Sequence, residues 1–158
     1  MNILSYTYLK YINNRTSLYN FLKTKINNKN LYSFIFLDIY YFKNINDTYG
    51  HDVGDTILKE LTSIISKAIR LDDFFARWGG EEFVIVLKTS TLQNAVKITQ
   101  KIRENIDSNL FHNSIRVTCS FGVTMVDTPD DIDLVLKRAD KLLYDAKNAG
   151  RNCIKSGS

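Results

Sequence analysis

The segment Phe74-Phe75-Ala76-Arg77-Trp78-Gly79-Gly80-Glu81-Glu82-Phe83-Val84-Ile85-Val86-Leu87-Lys88 decides the fold. Two apolar runs, Phe74–Trp78 and Phe83–Lys88, flank a Gly-Gly pair, which is a strong hairpin signal. Glycine permits positive φ and close backbone approach, so a large substrate has room to pass over this turn. Glu81 and Glu82 set two carboxylates side by side at the tip. Alone, such a pair reads equally as a solvated turn. Beside a third carboxylate it becomes a set of oxygen donors suited to a divalent cation.

Upstream, Leu31–Ile39 is a short apolar run rich in aromatics and isoleucine, the pattern of a buried strand. It ends at Asp38, whose carboxylate must be exposed or paired there, because burying an unpaired charge is costly. If this strand lies next to the hairpin, Asp38 and Glu81 converge on one Mg2+. Before it, residues 1–30 read as helical, with Leu18, Phe21, Leu22 and Ile26 at helix spacing. After it, a polar, Asn-rich turn region runs to Gly54. Asp55–Arg70 then reads as an amphipathic helix with Ile57, Leu58, Leu61, Ile64, Ile65 and Ala68 on one side.

Downstream, the pattern predicts a helix over Leu92–Leu110 and a β-branched strand over Ile115–Val126. A third helix, Ile132–Ala149, follows Pro129 and is closed by Gly150. A last short strand covers Asn152–Lys155. The plan is α+β: a sheet with helices packed mainly on its faces.

The chain has 158 residues, 44% hydrophobic and 24% charged, which suits one globular domain. No apolar run approaches the roughly 18 residues of a membrane span. The start has no basic segment followed by an apolar stretch, so no secretory leader is expected. The formal net charge of +4 is scattered. It fits a solvated surface or attraction to an anionic ligand, and no dense Lys/Arg stripe suggests nucleic acid. Cys119 and Cys153 have no zinc spacing and read as reduced thiols. Asn44, Asn46 and Asp55 fall at calcium-loop positions, but Tyr49 stands where that loop needs glycine, so the calcium reading fails. His51 reads as a structural histidine at a helix start.

Three strings occur in one order: Asp38 through Asp55 (DIYYFKNINDTYGHDVGD), Arg77 through Phe83 (RWGGEEF), and Ala139-Asp140 through Asn152, containing Leu143-Tyr144-Asp145-Ala146-Lys147-Asn148-Ala149-Gly150-Arg151-Asn152. Together they resemble the signatures of the GGDEF family of diguanylate cyclases, over roughly residues 8–155. The resemblance implies a ferredoxin-like nucleotidyl-cyclase palm with a central, mostly antiparallel sheet flanked by helices. It also divides the chain into an N-terminal helical lead-in, 1–30, and a core, 31–158, of one catalytic domain.

The activity it implies is condensation of two GTP molecules into cyclic di-GMP with release of pyrophosphate. The metal would be Mg2+, with Mn2+ as a substitute, held by Asp38, Glu81 and the Ile39 carbonyl. Lys43 and Glu82 join Glu81 as catalytic residues. Asn46 and Asp55 would read guanine, Phe42, Gly79 and Gly80 would line the substrate, and Lys147 and Arg151 would hold the distal phosphates. Physically, a carboxylate accepts from guanine N1–H and the exocyclic amine, and an amide offers both donor and acceptor. Lys147 and Arg151 are spaced i,i+4 at a helix end, so their heads can converge.

One such domain holds one GTP, so the resemblance implies a homodimer. It further implies a cytoplasmic location and an upstream sensory domain. Arg70-Leu71-Asp72-Asp73 resembles the family's product-binding inhibitory site, to be completed by a second arginine from another surface, Arg103. The bland reading of Arg70 and Asp73 is a local ion pair.

Two departures stand out. Tyr40 occupies the place of the family's second acidic residue, which opens an alternative: a catalytically degenerate domain that binds GTP or cyclic di-GMP or serves dimerisation. The N-terminal signature is also eroded. Leu9, Ile12, Asn14 and Arg15 retain it, while Thr7 stands in the acidic place and Lys10-Tyr11 replace Thr-Gly.

Overall fold

The computed structural model describes residues 13–26, 30–89, 91–126 and 132–158. Thr7 through Ile12 of the eroded signature, and Pro129, lie outside the described residues. Helix α1, Arg15–Ile26, begins where Asn14 Oδ1 accepts the Ser17 amide at 3.0 Å, an N-cap, and buries Leu18 and Leu22. Strand β1, Tyr32–Ile39, follows.

The region between β1 and β2 departs from the sequence reading. Instead of a turn running to Gly54, the chain forms helix α2, Phe42–Tyr49, and then helix α3, His51–Ala68. Two apolar anchors, buried Phe42 and half-buried Ile45, suffice to dock the polar α2 on the core. Gly50 separates the helices at φ 92, where its amide donates to the Asn46 carbonyl at 2.8 Å. That conformation favours glycine. His51 is the exposed first residue of α3.

Strands β2, Phe74–Arg77, and β3, Glu82–Lys88, form the antiparallel hairpin. Helix α4 spans Leu92–Ser108, its N-cap Thr91 accepting from the Asn94 amide at 3.1 Å. The single strand predicted over Ile115–Val126 is divided. Ile115–Arg116 (β5) pairs with Leu110–Phe111 (β4) through His112 and Asn113, both left-handed, and Cys119–Val126 (β6) joins the main sheet. Alternation in a sequence does not tell which sheet a strand enters. Helix α5, Ile132–Asn148, and strand β7, Ile154–Ser156, complete the described elements.

The main sheet has the order β2-β3-β1-β6-β7. The first four of these strands pair antiparallel and β7 runs parallel to β6. With helices between β1 and β2 and between β3 and β6, this is the ferredoxin-like βαββαβ plan plus one edge strand. Period-2 alternation sends Ile35, Leu37 and Ile39 to one face, against Ile57, Leu61 and Ile65 of α3 and Ile102 of α4. Phe34 and Phe36 go to the other, against Leu18 and Leu22 of α1 and Val135, Ala139 and Leu143 of α5.

Gly122 of β6 lets α5 ride directly on the sheet. A Cβ there would stand 2.4 Å from the Ala139 carbonyl oxygen and 2.5 Å from the Leu143 amide nitrogen. This contact fixes how the last turn of α5 projects past the end of β1.

Candidate active site

The cross-strand register sets the carboxylates. Asp38 lies opposite Glu82 on one side and Ser120 on the other, and the Ile39 amide donates to the Glu81 carbonyl at 3.2 Å. The hairpin is tight: the Trp78 and Gly79 amides both donate to the Glu82 carbonyl, at 2.8 and 3.3 Å. Arg77 braces it from below, its Nη2 donating to the Gly80 carbonyl at 2.7 Å and its Nε to the Gly79 carbonyl at 3.2 Å. Neither Gly79 nor Gly80 has positive φ. What glycine supplies here is space: a Cβ at Gly80 would meet nothing within 4 Å.

These elements enclose a pocket of about 200 Å³ lined by Asp38, Ile39, Glu81, Phe42, Lys43, Lys147 and Arg151, together with Tyr40, Tyr41 and Ser120. Lys147 Nζ ion-pairs with Asp38 Oδ2. Asp38 Oδ1 is buried and has no hydrogen-bond partner. Burial pushes the Glu82 carboxyl above the usual carboxylate range; the Asp38 charge adds to this and Lys147 opposes it. A partnerless buried carboxylate oxygen beside a second carboxylate is an all-oxygen donor set, and Mg2+ usually takes one or two carboxylates plus substrate phosphates. Among the described residues no group of three or more His, Cys, Asp or Glu forms a metal cluster. The donors therefore fit a site that substrate completes.

Arg151 reaches the pocket by a route the i,i+4 argument did not foresee. Helix α5 ends at Asn148, and Gly150, Arg151 and Asn152 follow at φ 111, 63 and 46. This left-handed turn folds Arg151 back so that its amide donates to the Ala146 carbonyl at 3.1 Å. Helix α2 starts at the pocket. Tyr41 caps it in the left-handed region, φ 50 and ψ 36, with no side-chain cap, which leaves its first amides for an anion.

Asn46 and Asp55 stand outside the pocket lining, on α2 and α3. Asn46 Oδ1 is buried without a partner and lies against Gly54, the residue before exposed Asp55. Trp78 is half-buried, sandwiched between Phe36 at 5.9 Å and the Arg15 guanidinium at 3.9 Å. Cys119 is buried, which pushes its thiol up, and half-buried Cys153 donates to the Ala146 carbonyl at 3.3 Å.

A larger cavity, about 570 Å³, opens at the other end of β3, about 20 Å along the strand from Glu82. It is lined by Arg70, Asp73, Lys88, Asn94, Lys97 and Lys101, among others. Arg70 and Asp73 lie in the turn beyond α3, not at its end. No local ion pair joins their side chains; Asp73 instead accepts the Arg70 amide at 2.8 Å and the Lys88 amide at 3.0 Å. Arg103 is not in this cavity: it donates to Asn152 Oδ1 at 3.0 Å and pairs with Asp107. Beside Arg70, the cations in the cavity lining are Lys88 of β3 and Lys97 and Lys101 of α4. The i,i+4 spacing of Lys97 and Lys101 was legible; their facing was not. Ser120 and Tyr41 carry no sequence signal either: the strand register places Ser120 opposite Asp38, and the left-handed cap of α2 places Tyr41.

A ferredoxin-like sheet whose central strand and adjacent hairpin carry acidic groups into a cleft rimmed by cations is the architecture of a nucleotidyl-cyclase palm. Residues 8–153 match the family described as "Diguanylate cyclase, GGDEF domain". The response regulator PleD of Caulobacter vibrioides is 38% identical over 131 residues, covering 77% of this chain and 28% of PleD. The active GGEEF domain of a diguanylate cyclase from Vibrio cholerae is 31% identical with a TM-score of 0.79, covering 92% of this chain and 96% of that one. The GGDEF domain of DgcB from Caulobacter crescentus, solved with cyclic di-GMP, is 27% identical with a TM-score of 0.84, covering 92% and 91%. The chain belongs to the GGDEF-domain family of diguanylate cyclases. It spans about a third or less of the length of the curated relatives it matches.

Proposed function

We propose that this chain is a catalytic domain that condenses two GTP molecules into cyclic di-GMP, releasing pyrophosphate. The observation that carries the reading is the convergence of Asp38, Glu81, Lys43, Lys147 and Arg151 on one pocket at the N-terminus of α2. The triphosphate would lie on the free α2 amides next to Phe42, with its distal end between Lys147 and Arg151 and Lys43 facing the reacting phosphate. The chain over Gly79–Gly80 leaves room for the nucleotide. Asp38, Glu81 and the Ile39 carbonyl would hold Mg2+, or Mn2+. Bound there, the metal supplies charge neutralisation at the phosphates.

In the reaction, the 3′-hydroxyl oxygen of one GTP attacks the α-phosphorus of the other, the bond to the β-phosphate oxygen breaks, and pyrophosphate departs. Two such steps close the ring. Glu82, next to Glu81, would take the hydroxyl proton. Asn46, whose Oδ1 lacks a partner, and Asp55 would read the guanine edge. One pocket holds one nucleotide, so two copies must face each other in a two-fold homodimer. Product would bind the cavity of Arg70, Asp73, Lys97 and Lys101 and inhibit.

We further place residues 1–30 and 31–158 in one domain, downstream of a sensory domain and in the cytoplasm. Among the described residues no helix is long and apolar enough to cross a membrane. Tyr40 in place of an acid supports a second reading, a binding module without turnover. Incubation of the purified chain with Mg-GTP, with mass spectrometry of the product and a pyrophosphate assay, separates the two. Cyclic di-GMP and pyrophosphate are expected; GTP recovered intact at dimer-forming concentrations would overturn the catalytic reading.

A further inference from the structure

Arg151 and Lys147 point into the same pocket but are held differently. Lys147 is tied to a carboxylate, Asp38. Among the described residues no carboxylate pairs with Arg151. Its guanidinium instead lies over the Tyr40 ring, 5.0 Å from the centroid, and its Nη1 touches only the Lys147 carbonyl, at 3.4 Å. Tyr40 is in turn packed on Tyr41, ring centroids 4.1 Å apart. Left-handed backbone flanks this contact, at Tyr41 next to Tyr40 (φ 50) and at Arg151 itself (φ 63). Such conformations persist where surrounding contacts impose them.

A guanidinium needs a support to hold one direction in a wet pocket. An acidic residue at position 40 would supply it by pairing, and would cancel the charge offered to an anion. A neutral aromatic face supplies it by cation–π attraction and leaves the charge uncompensated.

We propose that Tyr40 is a positioning residue: its ring holds the Arg151 guanidinium, unneutralised, toward the distal phosphates of the nucleotide. This rests on the assignment of Arg151 to those phosphates. It also gives the missing acid a role opposite to degeneracy, since the substitution strengthens substrate capture rather than removing a catalytic group.

The test measures calorimetric affinity for the α,β-methylene analogue of GTP with Mg2+, in which the bond that must break cannot. Four variants are compared with wild type: Arg151→Ala, Tyr40→Leu, Tyr40→Phe, and the double Tyr40→Leu/Arg151→Ala. Tyr40 is 39% exposed, so its replacements fold. Tyr40→Leu is expected to bind about two- to fivefold more weakly, the range of an exposed cation–π contact. Tyr40→Phe recovers that affinity, and Tyr40→Leu adds nothing in the Arg151→Ala background. With GTP itself, Tyr40→Leu raises KM and leaves kcat unchanged. If Arg151→Ala binds as tightly as wild type, the phosphate assignment fails. If Arg151→Ala is weakened but Tyr40→Leu acts equally with and without Arg151, or Tyr40→Phe behaves as Tyr40→Leu, the assignment stands and the positioning role is overturned.

Discussion

Gly54→Ala separates stability from base recognition. Gly54 is buried on α3, and a Cβ built there would stand 1.8 Å from Asn46 Oδ1, 2.9 Å from Asn46 Cγ and 3.3 Å from Phe42 Cζ. The first contact is impossible, so something moves. What moves is the end of a half-buried side chain whose Oδ1 makes no hydrogen bond, so little resists its rotation. Alanine in a helix gains up to about 1 kcal/mol over glycine. Repacking around an added methyl costs about 1–3 kcal/mol. The two nearly offset, and the melting temperature is expected to stay within a few degrees of wild type. Base recognition does not share in the offset. Turning the Asn46 amide away removes one hydrogen bond to guanine, worth about 0.5–1.5 kcal/mol, or about two- to twelvefold in affinity. The assay pairs thermal unfolding with calorimetric titration of α,β-methylene GTP and ATP analogues. GTP affinity should fall while ATP affinity holds. Wild-type preference for GTP in a folded Gly54→Ala protein would refute the placement of Asn46 at the base. A melting temperature lowered by 15 °C or more, on the order of a 4–7 kcal/mol loss, would refute the claim that Asn46 yields cheaply.

Other perturbations probe other parts of the argument. Glu81→Gln and Asp38→Asn should each abolish cyclic di-GMP formation with unchanged circular dichroism, and near-normal synthesis by either would remove that carboxylate from the metal set. Gly122→Ala should be destabilised by at least about 1–3 kcal/mol, because the atoms a Cβ would meet are backbone of α5 and cannot rotate away; a denaturant midpoint equal to wild type would show that α5 can lift off β6 at no cost. Arg70→Ala and Lys101→Ala should leave initial rates intact and weaken inhibition by added cyclic di-GMP. Wild-type inhibition in both variants would leave the larger cavity without that role.

The sequence conveyed the strands better than the connections, for a physical reason. Tyr32–Leu37 and Phe83–Leu87 are buried on both faces, so they read as continuous apolar runs whatever pairs with them. Helix α2 carries only Phe42 and Ile45 toward the core, too few for a periodic signal, and its polar residues resemble a turn until Gly50 is seen to end it. The pair Asp38 and Glu81 was legible as a conditional statement: given adjacent strands, the carboxylates meet. The register Asp38↔Glu82 makes β1 and β3 neighbours, and Asp38 and Glu81 both line one pocket.

Arg151 shows where spacing misleads. Four residues after Lys147 suggests a shared helical face, yet the helix stops before it, and three successive left-handed residues carry it to the same pocket. The Gly150 signal for a helix end was present in the sequence, and taken at full weight it excludes the i,i+4 argument it was read beside. Tyr40 is the converse case. As a letter out of place it suggests a lost function. Its ring under an arginine that has no carboxylate partner gives it a task that no alignment of residue types expresses, because the task depends on which neighbour is already neutralised: Lys147 by Asp38, and Arg151 by none of the described residues.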